Sequence, residues 1–343
     1  MHRPLRLTLD RGALAQNWRW LQERAGVPAG AAVKANGYGL GAREAAATLL
    51  AAGCRTFFVS TYAEAIELGP LGEDVSLVVL HGIGADEMEA AAQSTARPVL
   101  NSVAQVHRWK EIAPTRACDV MVDTGMNRLG LRTEEIAVLD GLAIDTVHSH
   151  LACADEDSPM NGQQLQRFRE VAAELPAKCY SLANSAGICL GLDYSFGLVR
   201  PGLALYGGVP RREAEGHIRQ VARIETQIVQ RRTIRVGESC GYGATFVAGR
   251  DTEAAIVNLG YADGYLRGFS ARGSDFAGEF ALPVLGRVSM DLVALGCDIA
   301  ADLKEGDWVE INYDLPTVSA ASGLSQYELL TVLGSRFERR WVD

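Results

Sequence analysis

The stretch Ala31-Ala32-Val33-Lys34-Ala35-Asn36-Gly37-Tyr38-Gly39-Leu40-Gly41-Ala42 decides how the chain is read. A short apolar run ends on a lysine, a glycine-rich turn follows, and an alanine-rich amphipathic segment begins at Ala42. That is the order strand, loop, helix. Gly37-x-Gly39-x-x-Ala42 also matches the dinucleotide-binding turn, but that turn expects an acidic residue near the end of the second strand. Here the second strand ends Val59-Ser60-Thr61, with no acid. A lysine before the turn is foreign to the motif as well, so a nicotinamide cofactor is not indicated.

Outward from this stretch, the same unit repeats. Strands are expected at Gly30–Asn36, Thr56–Thr61, Val75–His81, Arg97–Asn101, Cys118–Asp123, Ala143–Leu151, Lys178–Asn184 and Leu198–Tyr206. Amphipathic segments such as Ala42–Ala52, Asp86–Gln93 and Gln163–Glu174 separate most of them. Eight strands alternating with helices point to an α/β fold, a (β/α)8 TIM barrel, with an open doubly wound sheet as the rival. Beyond residue 215 the helical periodicity fades. Ala222–Val229, Glu253–Leu259, Leu282–Val288 and Asp307–Ile311 read as strands between glycine turns. A β-rich C-terminal domain is expected at 218–343 after a barrel at 11–217. The period-two segment Leu5–Leu9 supplies a first strand (within 1–10) that joins the second domain, and Asp10 caps the helix after it.

Composition narrows the function. The chain has 343 residues and a net charge of −9, which disfavours nucleic acid and anionic membranes as partners. No apolar run reaches the roughly 18 residues of a spanning helix, and the start has no signal-peptide core. Seven cysteines, none at C-x-x-C spacing, read as reduced thiols of a cytoplasmic protein without a structural metal. Of 33 basic residues only Lys34, Lys110, Lys178 and Lys304 are lysines, so a lysine in an apolar segment needs a reason.

Lys34 lies near the end of the first barrel strand, where catalytic groups gather. Burial there favours a neutral amine able to form a Schiff base with a carbonyl; a snorkelling lysine is the plain alternative. Polar groups follow at later strand ends: Arg128 in Asp123–Gly130, then His148 and His150, then Asn184 and Ser185, then Arg200, Gly202 and Tyr206. A hydroxyl and glycine amides near strands seven and eight are the usual phosphate cup of a barrel. Singly, each has a structural explanation: a satisfied core histidine, or an ion pair at the barrel end. Their placement after successive strands favours one site. No third ligand joins His150 and Asp155 at metal-like spacing, and no G-x-S-x-G elbow is present.

Taken together, these segments resemble the alanine racemases, a fold-type III family of pyridoxal-phosphate enzymes. The resemblance rests on Ala32–Gly39, Asp123–Gly130, His150–Glu156, Asn184–Gly187, Val199–Gly202, Gly241-Tyr242-Gly243 and Met290-Asp291, in that order along nearly the whole chain. It implies that Lys34 carries pyridoxal 5′-phosphate covalently, and that Tyr38, Ser185, Gly202, Leu203 and Tyr327 hold its phosphate. Arg200 would face the pyridine nitrogen. A guanidinium only donates, so that nitrogen stays unprotonated and transamination and decarboxylation are suppressed. Arg128 and the backbone of Met290 would bind the substrate. Lys34 and Tyr242 would be the two bases, Tyr242 coming from the partner subunit of a homodimer, with His150 lowering the tyrosine's pKa. Tyr261 and Tyr327 resemble an aromatic gate, and Asp155, Arg267 and Arg287 the outer approach.

One departure matters. Many members carry a carbamylated lysine seven residues before the substrate-binding arginine, whereas here the position is Met121. A bound chloride or a nearby amide is expected to orient Arg128 instead. The expected activity is interconversion of L- and D-alanine, supplying D-alanine for peptidoglycan. The alternatives are a racemase for serine or a larger amino acid, a non-catalytic pyridoxal-phosphate carrier, and a decarboxylase. A carrier resembles the barrel alone, and a decarboxylase usually wants an acid where this chain has Arg200.

Overall fold

A computed structural model describes residues 3–270, 274–277 and 280–343. The chain divides into two compact units, Leu14–Arg219 and Met1–Ala13 with Gln220–Asp343.

The first unit is a parallel barrel. Seven strands pair in chain order: Ala31–Ala32, Thr56–Val59, Ser76–Val79, Arg97–Leu100, Cys118–Met121, Ile144–His148 and Cys179–Ser181. Residues 197–201 close it as an extended segment bonded on both sides. Gly197 N donates to Tyr180 O at 3.0 Å and Arg200 N to Ala183 O at 2.8 Å. Opposite, Gly30 N donates to Val199 O and Ala32 N to Pro201 O, both at 2.9 Å. The expected eighth strand Leu198–Tyr206 is therefore shorter. Pro201 has no N–H to extend the ladder, and Leu203–Tyr206 coils into a 3-10 turn.

The expected first strand also stops early, at Ala32, because the chain then winds into a turn carrying Lys34. Val78, Val79, Val99, Leu100, Val120 and Val147 have no exposed surface, as a covered parallel sheet requires. Several helices begin where a side chain caps them: Thr61 before Tyr62–Leu68, Ser102 before Val103–Ile112 and Ser158 before Pro159–Glu174. The last starts earlier than expected because Pro159 takes the first turn, where its missing N–H costs nothing.

The second unit is built on one long strand, Ala222–Ile234. Leu5–Asp10 and Trp308–Ile311 flank its first half, and Thr252–Val257 pairs antiparallel with its second. Leu5, Leu7 and Leu9 are buried in alternation with half-exposed neighbours, and Glu338–Val342 pairs on their other side. Asp10 Oδ1 accepts from Ala13 N at 2.7 Å, the cap read from the sequence. The expected strand Leu282–Val288 is Phe280–Pro283; it ends before Gly286, whose φ of 72° turns the chain. Among the described residues, no helix is long and apolar enough to cross a membrane.

Candidate active site

Lys34 opens a tight turn, Lys34–Tyr38, at the C-terminal end of the first barrel strand. The next residues are left-handed: φ is 51° at Ala35, 51° at Asn36, 63° at Gly37, 55° at Tyr38 and 84° at Gly39. Glycine takes this conformation freely and asparagine tolerates it, whereas each other L-residue costs roughly 1–2 kcal/mol. Strain of this kind persists where surrounding bonds over-determine it. Gly37 N donates to Val33 O and Gly39 N to Ala35 O, both at 2.8 Å. The Glu64 carboxylate accepts from Ala35 N at 2.8 Å and from Ser60 N at 2.6 Å, tying the turn to the start of the next helix. Burial, then the Arg128 charge, lower the Lys34 pKa; Glu64 opposes them and Arg200 adds to them.

Arg200 lies on the closing eighth segment of the barrel and is 7% exposed. Its Nη1 donates to Ser181 O at 2.7 Å and Ser181 Oγ at 2.5 Å, and its Nη2 donates to Ser149 O at 2.5 Å. His148 Nδ1 lies 3.3 Å from Nη1 and His150 Nδ1 3.5 Å from Nη2. None of these bonds uses Nε. Burial among neutral acceptors pulls the Arg200 pKa down to about 10, so the group stays cationic near neutrality. Burial, followed by the charges of Arg200, Arg128 and Lys34, pulls His150 down to about 3. A neutral His150 whose Nδ1 faces a guanidinium carries its proton on Nε2.

Beside these lies a small polar cup. Ser185 Oγ accepts from Gly202 N at 3.0 Å and Ala204 N at 3.2 Å. Tyr38 is 7% exposed and stacks on Tyr206 with centroids 4.9 Å apart. A side chain at Gly202 would overlap the Tyr38 hydroxyl, so glycine there keeps that hydroxyl in the cup. Leu203 is buried directly after it.

Arg128 sits on the loop after the fifth strand and is exposed. Asp123 Oδ1 accepts from Gly125 N and Met126 N at 2.8 and 2.9 Å, and Asn127 is left-handed at φ 54°. The amide expected to orient Arg128 is not found: among the described residues its guanidinium makes no hydrogen bond or ion pair. The reason is local. Met121 is 8% exposed and apolar, and the nearby amide of Gln164 bonds to other groups. Gln164 donates to His150 O at 2.9 Å and Thr124 Oγ1 at 3.3 Å, and accepts from Ala152 N at 2.8 Å. It stitches the Arg128 loop to the His150 loop. Asp155 is exposed on the turn after His150.

The remaining candidates belong to the second unit. Tyr242 is 66% exposed at the tip of the hairpin Ser239–Cys240 and Phe246–Val247. Gly241 and Gly243 on either side have φ of 76° and 72°. The guanidinium of Arg287 packs over Gly243, where an added Cβ would meet its Nη1 at 3.1 Å. Tyr261 N donates to Ser289 O and Ala262 N to Met290 O, both at 3.0 Å, so the Tyr261 and Met290 loops are joined. Arg267 lies over the Tyr261 ring, 5.4 Å from its centroid. Tyr327 is on the helix Gln326–Thr331 and is 42% exposed.

Sequence reading missed Glu64, Asp119, Gln164 and Arg336. Only Glu64 had a local signal, the Thr61-x-x-Glu64 helix-start pattern.

Comparison with known proteins places this arrangement. The family model for the alanine racemase N-terminal domain matches residues 9–210, and that for the C-terminal domain matches 221–341. Alanine racemase of Rhizobium meliloti (strain 1021) is 42% identical, covering 98% of this chain and 96% of its own. Agrobacterium fabrum has a biosynthetic and a catabolic alanine racemase, each 40% identical and covering at least 98% of this chain, with 94% and 92% of their own lengths aligned. The crystal structure of alanine racemase from Bartonella henselae, which holds covalently bound pyridoxal phosphate, superposes with a TM-score of 0.94 at 36% identity, covering 99% of this chain and 100% of that one. Two successive family domains and end-to-end relatives agree with the barrel, its lysine turn and the β-rich unit: the chain belongs to the alanine racemase family.

Proposed function

We propose that this chain interconverts L- and D-alanine by exchanging the Cα proton, with pyridoxal phosphate held covalently through Lys34. The observation that carries the reading is the gathering of Lys34, Tyr38, Ser185, Arg200 and Gly202 after the C-terminal ends of barrel strands. The donor set fits the cofactor. Lys34 has an amine biased toward its neutral form. Ser185 and Tyr38 offer hydroxyls beside the amides of Gly202 and Ala204. Arg200 has an Nε outside its hydrogen-bonded set. When bound, pyridoxal phosphate supplies a carbonyl for an amine and an electron-withdrawing ring that acidifies the substrate Cα–H.

Tyr38, Ser185 and Tyr327, with the backbone of Gly202 and Leu203, hold the phosphate. Arg200 faces the ring nitrogen and, donating only, denies it a proton. Arg128 and the Met290 backbone bind the substrate carboxylate. Lys34 Nζ moves the proton on one face of Cα, and the Tyr242 hydroxyl of the partner subunit moves it on the other. His150 donates its Nε2 proton toward that hydroxyl and stabilises its ionised form. Tyr261 and Tyr327 keep the pocket small; Asp155, Arg267 and Arg287 form its outer approach. The working unit is then a cytoplasmic homodimer supplying D-alanine for peptidoglycan.

The test is direct. The purified chain is incubated with pyridoxal phosphate and L-alanine in heavy water, and the enantiomers are resolved chromatographically with mass detection. D-alanine carrying deuterium at Cα is the expected result. Alanine returned unlabelled and still L, with turnover of serine or a larger amino acid instead, overturns the substrate assignment.

A further inference from the structure

We infer that the buried pair Asp119 and His148 is a positioning device for Arg200, setting the guanidinium's orientation and keeping its charge in the pocket. The inference deepens the proposed function and rests on its reading that Arg200 faces the cofactor ring nitrogen.

The pair lies inside the barrel wall. Asp119 is on the fifth strand and 1% exposed; His148 ends the sixth and has no exposed surface. His148 Nε2 stands 3.0 Å from Asp119 Oδ2, and its Nδ1 stands 3.3 Å from Arg200 Nη1. A carboxylate only accepts and a guanidinium only donates. Both neighbours therefore demand one tautomer, with the proton on Nε2 and the lone pair of Nδ1 aimed at Arg200. A doubly protonated ring would point an N–H at a cation. Burial keeps the ring neutral, helped by Arg200 and Arg97, although the Asp119 bond pulls the other way.

The surrounding charges show why the relay matters. Asp119 Oδ1 accepts from Arg97 Nε at 3.0 Å, and Arg97 also pairs with Asp145 at 3.0 Å. Lys178 reaches Asp145 at 3.5 Å. On the inner side, among the described residues, every acceptor that Arg200 touches is neutral. Asp119 is the first of the charges that raise the Arg200 pKa against burial. It acts from the far side of an imidazole, stabilising the cation without pairing with it. A directly bonded carboxylate would cancel the charge and draw the guanidinium out of line. The edge-on contact of His148 with Phe58, centroids 6.0 Å apart, fixes the ring plane. A histidine that merely filled the core would need Asp119 but would have no reason to present its second nitrogen to Arg200.

The test compares the holoenzyme with Asp119→Asn, His148→Leu, His148→Gln and Arg200→Lys variants. One readout is the visible absorption of the bound cofactor across pH. The other is pyruvate released per racemisation event with alanine, which counts amine transfer to the cofactor. A structural lesion lowers racemisation and pyruvate release together and leaves the ratio alone.

Asp119→Asn places an amide donor where a carboxylate was and favours the wrong tautomer; His148→Leu removes the acceptor. Each is expected to change the pH response of the absorption band. Each should also raise the pyruvate ratio on the order of tenfold, the scale of one lost hydrogen bond to a charged group. His148→Gln, whose amide oxygen accepts from Nη1, stays near the parent in both readouts. Should the leucine variant misfold, the near-isosteric asparagine and glutamine variants carry the comparison. Asp119→Asn and His148→Leu with parental spectrum and ratio, while Arg200→Lys alters both, overturn the inference. An Arg200→Lys enzyme that also keeps both readouts overturns the underlying reading of Arg200, and the inference falls with it.

Discussion

Arg200 and Arg336 are both held by several hydrogen bonds, and by opposite means. Arg200, 7% exposed, meets carbonyls, a hydroxyl and two imidazoles. Arg336, half exposed, grips fully buried Asp263 with Nε at 2.6 Å and Nη2 at 2.7 Å, and reaches Asp291 at 2.6 Å. Burial lowers the pKa of the first to about 10, and the two carboxylates raise the pKa of the second. Neutral acceptors satisfy donors without cancelling charge, so the Arg200 field remains active and helps lower both Lys34 and His150. The Arg336 charge is cancelled where it stands. What remains is a tie between the loop of Tyr261 and that of Met290 and Asp291. The charge of the acceptor, more than the number of bonds, separates an arginine that acts on its pocket from one that holds a wall.

The largest expected effect is at the group this uncancelled field serves. Lys34→Ala removes the amine. Borohydride treatment and mass spectrometry should then find the chain unmodified by cofactor, and racemisation should fall by roughly 10²–10⁴-fold or more. A covalent adduct retained elsewhere would move the site. Next comes Arg128→Met. Arg128 is the first charge among the causes lowering Lys34, so its loss raises the lysine pKa toward 10.5. The rate at which stripped enzyme regains pyridoxal phosphate should then need a higher pH. kcat/KM for alanine should drop about ten- to a hundredfold, the worth of one hydrogen bond to a charged group. An unmoved pH limb would break the idea that the barrel's uncancelled cations act on one another.

How much of this was legible in the sequence follows from the same physics. Lys34, Ser185 and Arg200 stood out because polar residues at the ends of apolar strands are anomalous at short range. The left-handed turn after Lys34 did not: Asn36, Gly37 and Gly39 tolerate it, but Ala35 and Tyr38 are held there by Glu64 and by bonds across the turn. Asp119 and His148 are 29 positions apart and pair only once their strands are neighbours, so nothing in the sequence joined Asp119 to the strand-end histidine. The long strand Ala222–Ile234 was expected to end at Val229 because Gln230-Arg231-Arg232-Thr233 breaks the apolar alternation. Pairing with Thr252–Val257 holds it straight through that polar run. Arg336 lay near the chain end with no motif, and its two carboxylates come from distant loops.

Removing that tie tests the other half of the comparison. Arg336→Met leaves Asp263 buried with its cation gone. The cost should be about 3 kcal/mol, the low end for a broken buried pair because Arg336 itself is half exposed. Thermal unfolding measures it, and Asp263→Asn combined with Arg336→Met should recover part of the loss. Joined then by their backbone bonds without the side-chain tie, the Tyr261 and Met290 loops should discriminate less well between alanine and larger amino acids. Unchanged stability with unchanged selectivity would show that the tie holds nothing.

The smallest effect follows from histidines kept neutral by burial first and by the barrel's cations second. An unfolded histidine titrates near 6.5, whereas burial and the charges of Arg200, Arg128 and Lys34 hold His150 at about 3. Between these values the unfolded chain binds more protons than the folded one. Stability therefore falls as pH drops below about 6.5 and stops falling, for this group, near 3. From pH 7 to pH 5 the contribution of His150 has an upper limit of roughly 2 kcal/mol. Buried His148, also lowered, works in the same direction. Thermal unfolding of the parent and of His150→Gln at both pH values isolates the difference, since carboxylates titrate mostly below this window. A shallower slope in the variant means that burial and the pocket's positive charges together hold the imidazole neutral. Parallel slopes would mean that neither burial nor the field shifts the imidazole, and that Arg200, for all its neutral acceptors, behaves electrostatically like Arg336.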